Sequence, residues 1–307
     1  MLAMLARHRY SLSLTAAAAS WGVATVISKR AVEEIPPLTL LPIQLTVSVG
    51  MLAVLLRAQG LRVNWSPQMR RLGAMGVLNP GVSYALSLLG LTYITASLSV
   101  LLWAVEPLLI LVLAWWLLGD PITRPLALAS TLALVGVILV VFERGSGGQL
   151  TGITLTLAGV AACAVYTVIS RKLMVADSTL AVVAVQQSYA LVFSVALLGA
   201  TILTGMSTPL TDVSAEAWIS AAVSGILYYA VAFWFYLTGL RRVPAGTAAV
   251  FINLIPVFGI AAGHVLLNER LTGRQWLGAI LTVVAVGVIV YQKPPEGWRH
   301  PPTASQR

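Results

Sequence analysis

Glu106 is the one carboxylate that falls well inside an apolar run; the other nine acidic residues fall at the ends of such runs or between them. An ionised carboxylate at membrane depth is expensive unless it is paired, wet or protonated. Pro107 follows it, frees a backbone carbonyl one turn back and can kink a helix. The chemistry open to Glu106 is proton exchange or capture of an amine. The alternative is a protonated side chain hydrogen-bonded between helices. Trp103 lies one helical turn earlier, on the same face, and Ser99 and Ile110 extend that face. An indole beside a carboxylate can stack on a ring or a cationic group of a solute. The alternative for Trp103 is a lipid-facing core position.

Further polar and aromatic residues qualify as solute ligands. Asn79, Ser83 and Ser87 recur every four residues, with Pro80-Gly81 between them and Tyr84 alongside. Such a stripe must face protein or water, where it binds solute or joins helices. Tyr228, Tyr229, Phe233, Trp234 and Tyr236 crowd a later run. They cover more than one helix face, so some face lipid, and those facing inward suit a flat, ring-bearing solute. Asn253 precedes Pro256 and either satisfies a freed backbone group or binds solute. His264 is the one histidine inside an apolar run; it either couples to protons or makes an interhelical hydrogen bond. Gly259 and Gly263 beside it permit close helix packing. Pro80, Pro107 and Pro256 are candidate kink or gating points. The single cysteine, Cys163, excludes an intramolecular disulfide and reads as a small core residue.

The elements that must position these residues follow from composition. Of 307 residues, 58% are hydrophobic and 9% charged, with a mean hydropathy of +0.89. A soluble domain carries about 25% charged residues. A chain so poor in charge needs lipid as part of its solvent, and its long, non-alternating apolar runs predict helices rather than a barrel. The expected fold is an all-α integral membrane protein with ten spans, near 11–28, 37–57, 71–90, 95–118, 124–142, 150–170, 179–204, 216–239, 246–267 and 273–291. Residues 293–307 read as a disordered tail. The start of the chain imitates a signal peptide, but its apolar run continues past the small residues to Ile27, so it is read as a retained span.

The net charge of +9 does not point to nucleic acid, because the 19 basic residues sit in short clusters between apolar runs. With both termini inside, fourteen of them fall on the cytoplasmic side, as the positive-inside rule requires. Walker A, HExxH, GxSxG and CxxC motifs are absent, so no enzyme, cofactor or metal is expected.

The chain also repeats itself. Val23–Arg30 (VATVISKR) matches Val165–Lys172 (VYTVISRK) at an offset of 142, and Gln44 meets Gln186 at the same offset. Gly90-Leu91, Pro107, Leu117-Leu118, Asp120 and Thr123 meet Gly239-Leu240, Pro256, Leu266-Leu267, Glu269 and Thr272 at 149. The expected units are 1–145 and 149–292, five spans each. Five is odd, so the second copy must enter the membrane from the opposite face. Inverted halves can exchange conformations and so expose a central site to each side in turn.

Pro107–Thr123 (PLLILVLAWWLLGDPIT) and Pro256–Thr272 (PVFGIAAGHVLLNERLT) resemble the paired signature of the EamA-like drug/metabolite transporter superfamily. Trp21-Gly22 is similar too, and the likeness runs over about residues 10–291. Asp120, followed by Pro121, stands where that signature usually has Glu. In length and in its aromatic-rich third, fourth and eighth spans, the chain is most similar to bacterial exporters of aromatic amino acids. The resemblance implies a cavity lined by helices 1–4 and 6–9, helices 5 and 10 at the periphery, and a bacterial inner-membrane location. It implies a small-molecule substrate and lipid as partners; the sequence leaves the oligomeric state open, a monomer being compatible with it. Efflux of lipophilic cations or drugs is the close alternative; a membrane-embedded enzyme or a sensor is a remote one.

Overall fold

The computed structural model describes residues 2–103, 105–118, 147–173, 178–205, 210–240, 251–252 and 254–268, with isolated positions within 124–135 and 270–284. Among the described residues, all regular structure is helical. The elements are α1 (Leu2–Val32), α2 (Pro37–Ala58), α3 (Pro67–Leu91), α4 (Ala96–Trp103), α5 (Glu106–Leu118), α6 (Gly147–Leu173), α7 (Thr179–Leu203), α8 (Ala215–Gly239) and α9 (Ile255–Leu267).

Helix boundaries have local causes. Pro37 and Pro67 open α2 and α3, where a missing backbone donor costs nothing. Ser66 and Ser214 cap α3 and α8, their hydroxyls accepting from the backbone N–H of Met69 and Ala217 at 3.1 Å. Six apolar helices among the described residues are long enough to cross a membrane: α2, α3, the α4–α5 pair, α6, α7 and α8. Helix α9 is apolar but shorter. Leu203, Val192 and Trp116 lie exposed on the outer surface at 89%, 71% and 73%, as lipid contact requires.

The boundaries differ from expectation at two helix starts, the second of them set by a cap. Helix α1 reaches back to Leu2, and Ser66 starts α3 four residues before the expected span. The expected spans 124–142 and 273–291 lie mostly outside the described residues, and Asp120, Thr123, Asn253, Glu269 and the tail lie outside them altogether.

Packing crosses between the two halves. Helix α1 lies on α8 and α9, while α6 lies on α3 and on α4–α5. Helix α2 lies on α7 and α8, and α7 lies also on α3. Exchanging α1 with α6, α2 with α7, α3 with α8 and α4–α5 with α9 leaves this set of pairs unchanged. Two finer features obey the same exchange. Helices α3 and α8 each carry one π-type widening, at Val77–Val82 and Ile226–Val231, 149 residues apart. Gly76 of α3 lies against the backbone of Gln186, and Gly225 of α8 lies against that of Gln44. Glycine is required at both because a Cβ would meet main-chain atoms.

Candidate functional site

The widening in α3 has a cause in its sequence. Pro80 cannot donate to the helical ladder, and Asn79 before it takes an extended conformation (φ −146°, ψ 118°). Asn79 thereby turns inward and is buried, with its Oδ1 unpartnered. On the opposite side α4 ends at Trp103, and α5 starts at Glu106 ahead of Pro107. These two irregularities face a common space between α1, α3, α6 and α8.

That space is a narrow cavity of about 40 Å³, well short of the roughly 300–1,000 Å³ of open small-molecule sites. Helix α1 contributes Trp21 and Thr25, and α3 contributes Asn79 and Tyr84. Trp103 and Glu106 come from the α4–α5 break. Helix α6 adds Cys163, Tyr166 and Thr167, and α8 adds Tyr228, Phe233 and Tyr236. Ile252 and Ile255 close the apolar side.

The rings form one continuous wall. Tyr84 sits at its centre, with ring centroids 4.9 Å from Tyr228, 5.0 Å from Tyr229, 5.7 Å from Trp103 and 6.4 Å from Phe233. Phe233 carries the wall on to Trp21 at 5.4 Å, and Tyr236 flanks Trp21 at 5.3 Å. Most of these are edge-on or tilted pairs, the favoured aromatic geometry. Glu106 is 5% exposed and accepts a hydrogen bond from Cys163 Sγ at 3.3 Å. Thr25 Oγ1 and Tyr228 Oη share a hydrogen bond of 2.7 Å. Among the described lining residues there is no Lys, Arg or His.

The structure separates the residues the sequence singled out. Asn79, Tyr84, Trp103, Glu106 and Tyr228 line the cavity together. Ser83 donates to Gly159 O at 2.8 Å, so its hydroxyl joins α3 to α6. Ser87 and Ser99 are buried but outside the lining. Tyr229 stands behind Tyr84, its hydroxyl donating to Gln44 Oε1 at 3.3 Å. Trp234 stacks on Phe235 at 5.7 Å, away from the cavity. His264 lies on the exposed face of α9. Pro80 and Pro107 border the two irregularities, and Pro256 is buried in the first turn of α9. Asn253 lies outside the described residues. Sequence reasoning passed over Tyr166, Thr167 and Cys163 as lining residues, and it had no means of separating Tyr236 from Trp234.

Glutamines hold the helices around this site. Gln44 Nε2 donates to Ser28 Oγ at 2.9 Å and Ser224 Oγ at 2.7 Å, tying α2 to α1 and α8. Gln186 accepts from Tyr166 Oη at 3.0 Å and donates to Leu72 O at 3.2 Å. Gln187 accepts from Ser48 and donates to Tyr229 O. At one end of the bundle a polar clasp closes the helices. Lys29 Nζ donates to Leu91 O at 2.8 Å and Ile94 O at 3.0 Å, at the C-terminus of α3 where a cation is favoured. Glu34 accepts from the backbone N–H and hydroxyl of Ser214 at 2.7 and 2.9 Å, and Arg30 pairs with Glu216 at 3.1 Å. The Ser214 backbone bond, then the hydroxyl bond, hold the Glu34 carboxyl below the usual glutamate range.

The profile of the EamA-like transporter family matches residues 9–142 and 150–291. An uncharacterized transporter of Archaeoglobus fulgidus is 24% identical over 273 residues, covering 89% of this chain and 95% of the relative. A probable amino-acid metabolite efflux pump of Escherichia coli is 32% identical over 170 residues, covering 52% of this chain and 56% of the relative. A solved crystal structure shares the fold with a TM-score of 0.70 at 18% identity, covering 91% of this chain and 95% of the other.

Proposed function

The chain belongs to the EamA-like transporter family, and from that premise we propose that it exports small organic solutes, foremost aromatic and other amino acids, through the cavity beside Glu106. The observation that carries this reading is the site itself: one buried carboxylate in an aromatic enclosure at the meeting of α1, α3, α6 and α8. The likeness to a probable amino-acid metabolite efflux pump supports the substrate class.

The proposed architecture has ten spans, arranged as inverted five-helix units 1–145 and 149–292 about a pseudo-two-fold axis in the membrane plane. The exchange-invariant packing, the paired π-type segments and the Gly76–Gln186 and Gly225–Gln44 contacts support it. In such a pair of units, rocking one half against the other turns a midplane site from one face to the other. Pro80, Pro107 and Pro256 stand where helices bend during that exchange. The proposed setting is a bacterial inner membrane with both termini cytoplasmic, in agreement with the distribution of basic residues.

Glu106 is the proposed proton-coupling group; His264 is placed second by its position on the outer face of α9. Proteoliposomes holding the full chain test the function. Efflux of phenylalanine, tyrosine or tryptophan above that of empty vesicles is expected, and no flux for any amino acid refutes it. Export of lipophilic cations is a second reading, favoured by a carboxylate among rings with no basic residue in the described lining. Flux of such cations without flux of amino acids would decide for it.

A further inference from the structure

Two buried polar atoms without a partner become intelligible when the two halves of the chain are compared. The matching segments of α1 and α6 put Thr167 in the position of Thr25 and Ser170 in that of Ser28, at the offset of 142 that also relates Gln44 to Gln186. The offset of 149 relates Asn79 to Tyr228, each third in its π-type segment. On the α1 side both hydroxyls are engaged. Thr25 and Tyr228 share a bond of 2.7 Å, and Ser28 Oγ accepts from Gln44 Nε2 at 2.9 Å. On the α6 side neither counterpart bond is made. Thr167 turns to Cys163, and Asn79 Oδ1 is unpartnered. Ser170 Oγ lies beside Tyr166 without hydrogen-bonding geometry, while Gln186 Nε2 donates to Leu72 O at 3.2 Å. A buried polar atom left unsatisfied is costly and calls for a reason.

The two sides also belong to opposite ends of the bundle. Lys29, near the end of α1, reaches the end of α3, where Gly90 packs on Gly152 near the start of α6. The end of α6 meets the start of α3, where Gln68 donates to Leu173 O. Helices α1 and α6 are therefore antiparallel, with Ser28 and Ser170 toward opposite ends. The Lys29 end is the one that the Glu34–Ser214 and Arg30–Glu216 contacts hold shut. We infer that these hydroxyls are two alternative latches. Thr25–Tyr228 and Ser28–Gln44 form when the Lys29 end closes; Thr167–Asn79 and Ser170–Gln186 form in their place when the opposite end closes. The inference rests on the proposed inverted units and names the bonds exchanged between them. Each state then has one set made and one set open, so the count of hydrogen bonds favours neither. A solute with a small preference for one state can tip the balance. The orphaned Asn79 and Ser170 atoms gain their partners in the state opposite to this one.

The test uses Cys163, which lines the cavity, as one thiol reached from two directions. The full chain is labelled with a membrane-impermeant thiol reagent in right-side-out and in inside-out vesicles, and the ratio of the two rates is read. Local changes in thiol reactivity cancel in that ratio. Ser28 and Ser170 lie outside the described cavity lining, and alanine removes only their hydroxyls. Ser28→Ala should shift the ratio about twofold to tenfold toward entry at the Lys29 end. Ser170→Ala should shift it by a similar factor the other way, each change reflecting one lost hydrogen bond. Tyr228→Phe should act as Ser28→Ala does, and the two serine changes together should return the ratio close to the wild-type value. Ser170 Oγ forms no hydrogen bond in this structure, so a merely structural role predicts no effect of Ser170→Ala. No shift in Ser170→Ala, or a shift in the same direction as Ser28→Ala, overturns the inference and leaves the transport reading to its own flux assay. Entry to Cys163 from one face alone in every variant removes the alternation, and the inference falls with it. Opposed shifts without flux of any amino acid remove the proposed substrates and leave the latches standing.

Discussion

Adding one methyl group at Gly225 should loosen the protein, whereas adding one at Gly50 should tighten it. Gly225 lies where α8 crosses α2, and a Cβ there would stand 2.7 Å from Gln44 O and 2.8 Å from Gln44 Cα. Both atoms are backbone, so relief requires the helices to separate. Overfilling a packed contact of this kind costs about 1–3 kcal/mol. Gly50 lies on the exposed face of α2 with nothing within 4 Å of the same methyl position. Both substitutions gain the same helix preference, about 0.5–1 kcal/mol for alanine over glycine. That gain cancels in the comparison, so Gly225→Ala should be less stable than Gly50→Ala by about 1–3 kcal/mol. Gly76→Ala, which meets the Gln186 backbone, should behave like Gly225→Ala. Thermal unfolding of the three variants in one detergent reads the order directly. If Gly225→Ala melts with or above Gly50→Ala, the close α2–α8 crossing is wrong.

Gln44→Leu keeps the volume but leaves the Ser28 and Tyr229 hydroxyls short of a partner, so it should cost about 1–3 kcal/mol in the same melting assay. Glu106→Gln should abolish the dependence of transport on a pH gradient; dependence that persists moves the coupling role to another residue. The depressed Glu34 carboxyl adds stability above its unfolded value near pH 4.5, and that stability is lost as pH falls through the lower folded value. Glu34→Gln should therefore flatten the acid side of the melting-temperature profile, and an unchanged profile would remove the Ser214 clasp from the account.

Glu106 and Asn79 were legible from the sequence because a polar side chain in an apolar run has few places to go. Pro80 and Pro107 were legible for a related reason, since proline interrupts a helix wherever it stands. Aromatic residues give no such signal. A tyrosine or tryptophan is as acceptable to lipid as to a protein interior, so the crowded run in α8 could not be sorted. The structure turns Tyr236 inward and leaves Trp234 stacked on Phe235 outside. Ser83 and Asn79 share one stripe, yet the kink at Asn79 opens it to the cavity while Ser83 bonds to α6. Cys163 illustrates the remaining gap: its type reads as core filler, and only the packing of α6 against the α4–α5 break brings its sulfur to Glu106. The offset of 149 found between motifs reappears in the two π-type segments, where neither sequence resembles the other closely.

Cys163, the sole cysteine of the chain, offers a direct probe of the cavity without any substitution. A small, charged, membrane-impermeant methanethiosulfonate reagent, applied separately to right-side-out and inside-out vesicles, reads whether the space beside Glu106 opens to each face. Labelling from both faces, slowed several-fold by L-phenylalanine, is the predicted result. Labelling that phenylalanine does not slow, in vesicles that transport phenylalanine, would place the route elsewhere in the protein.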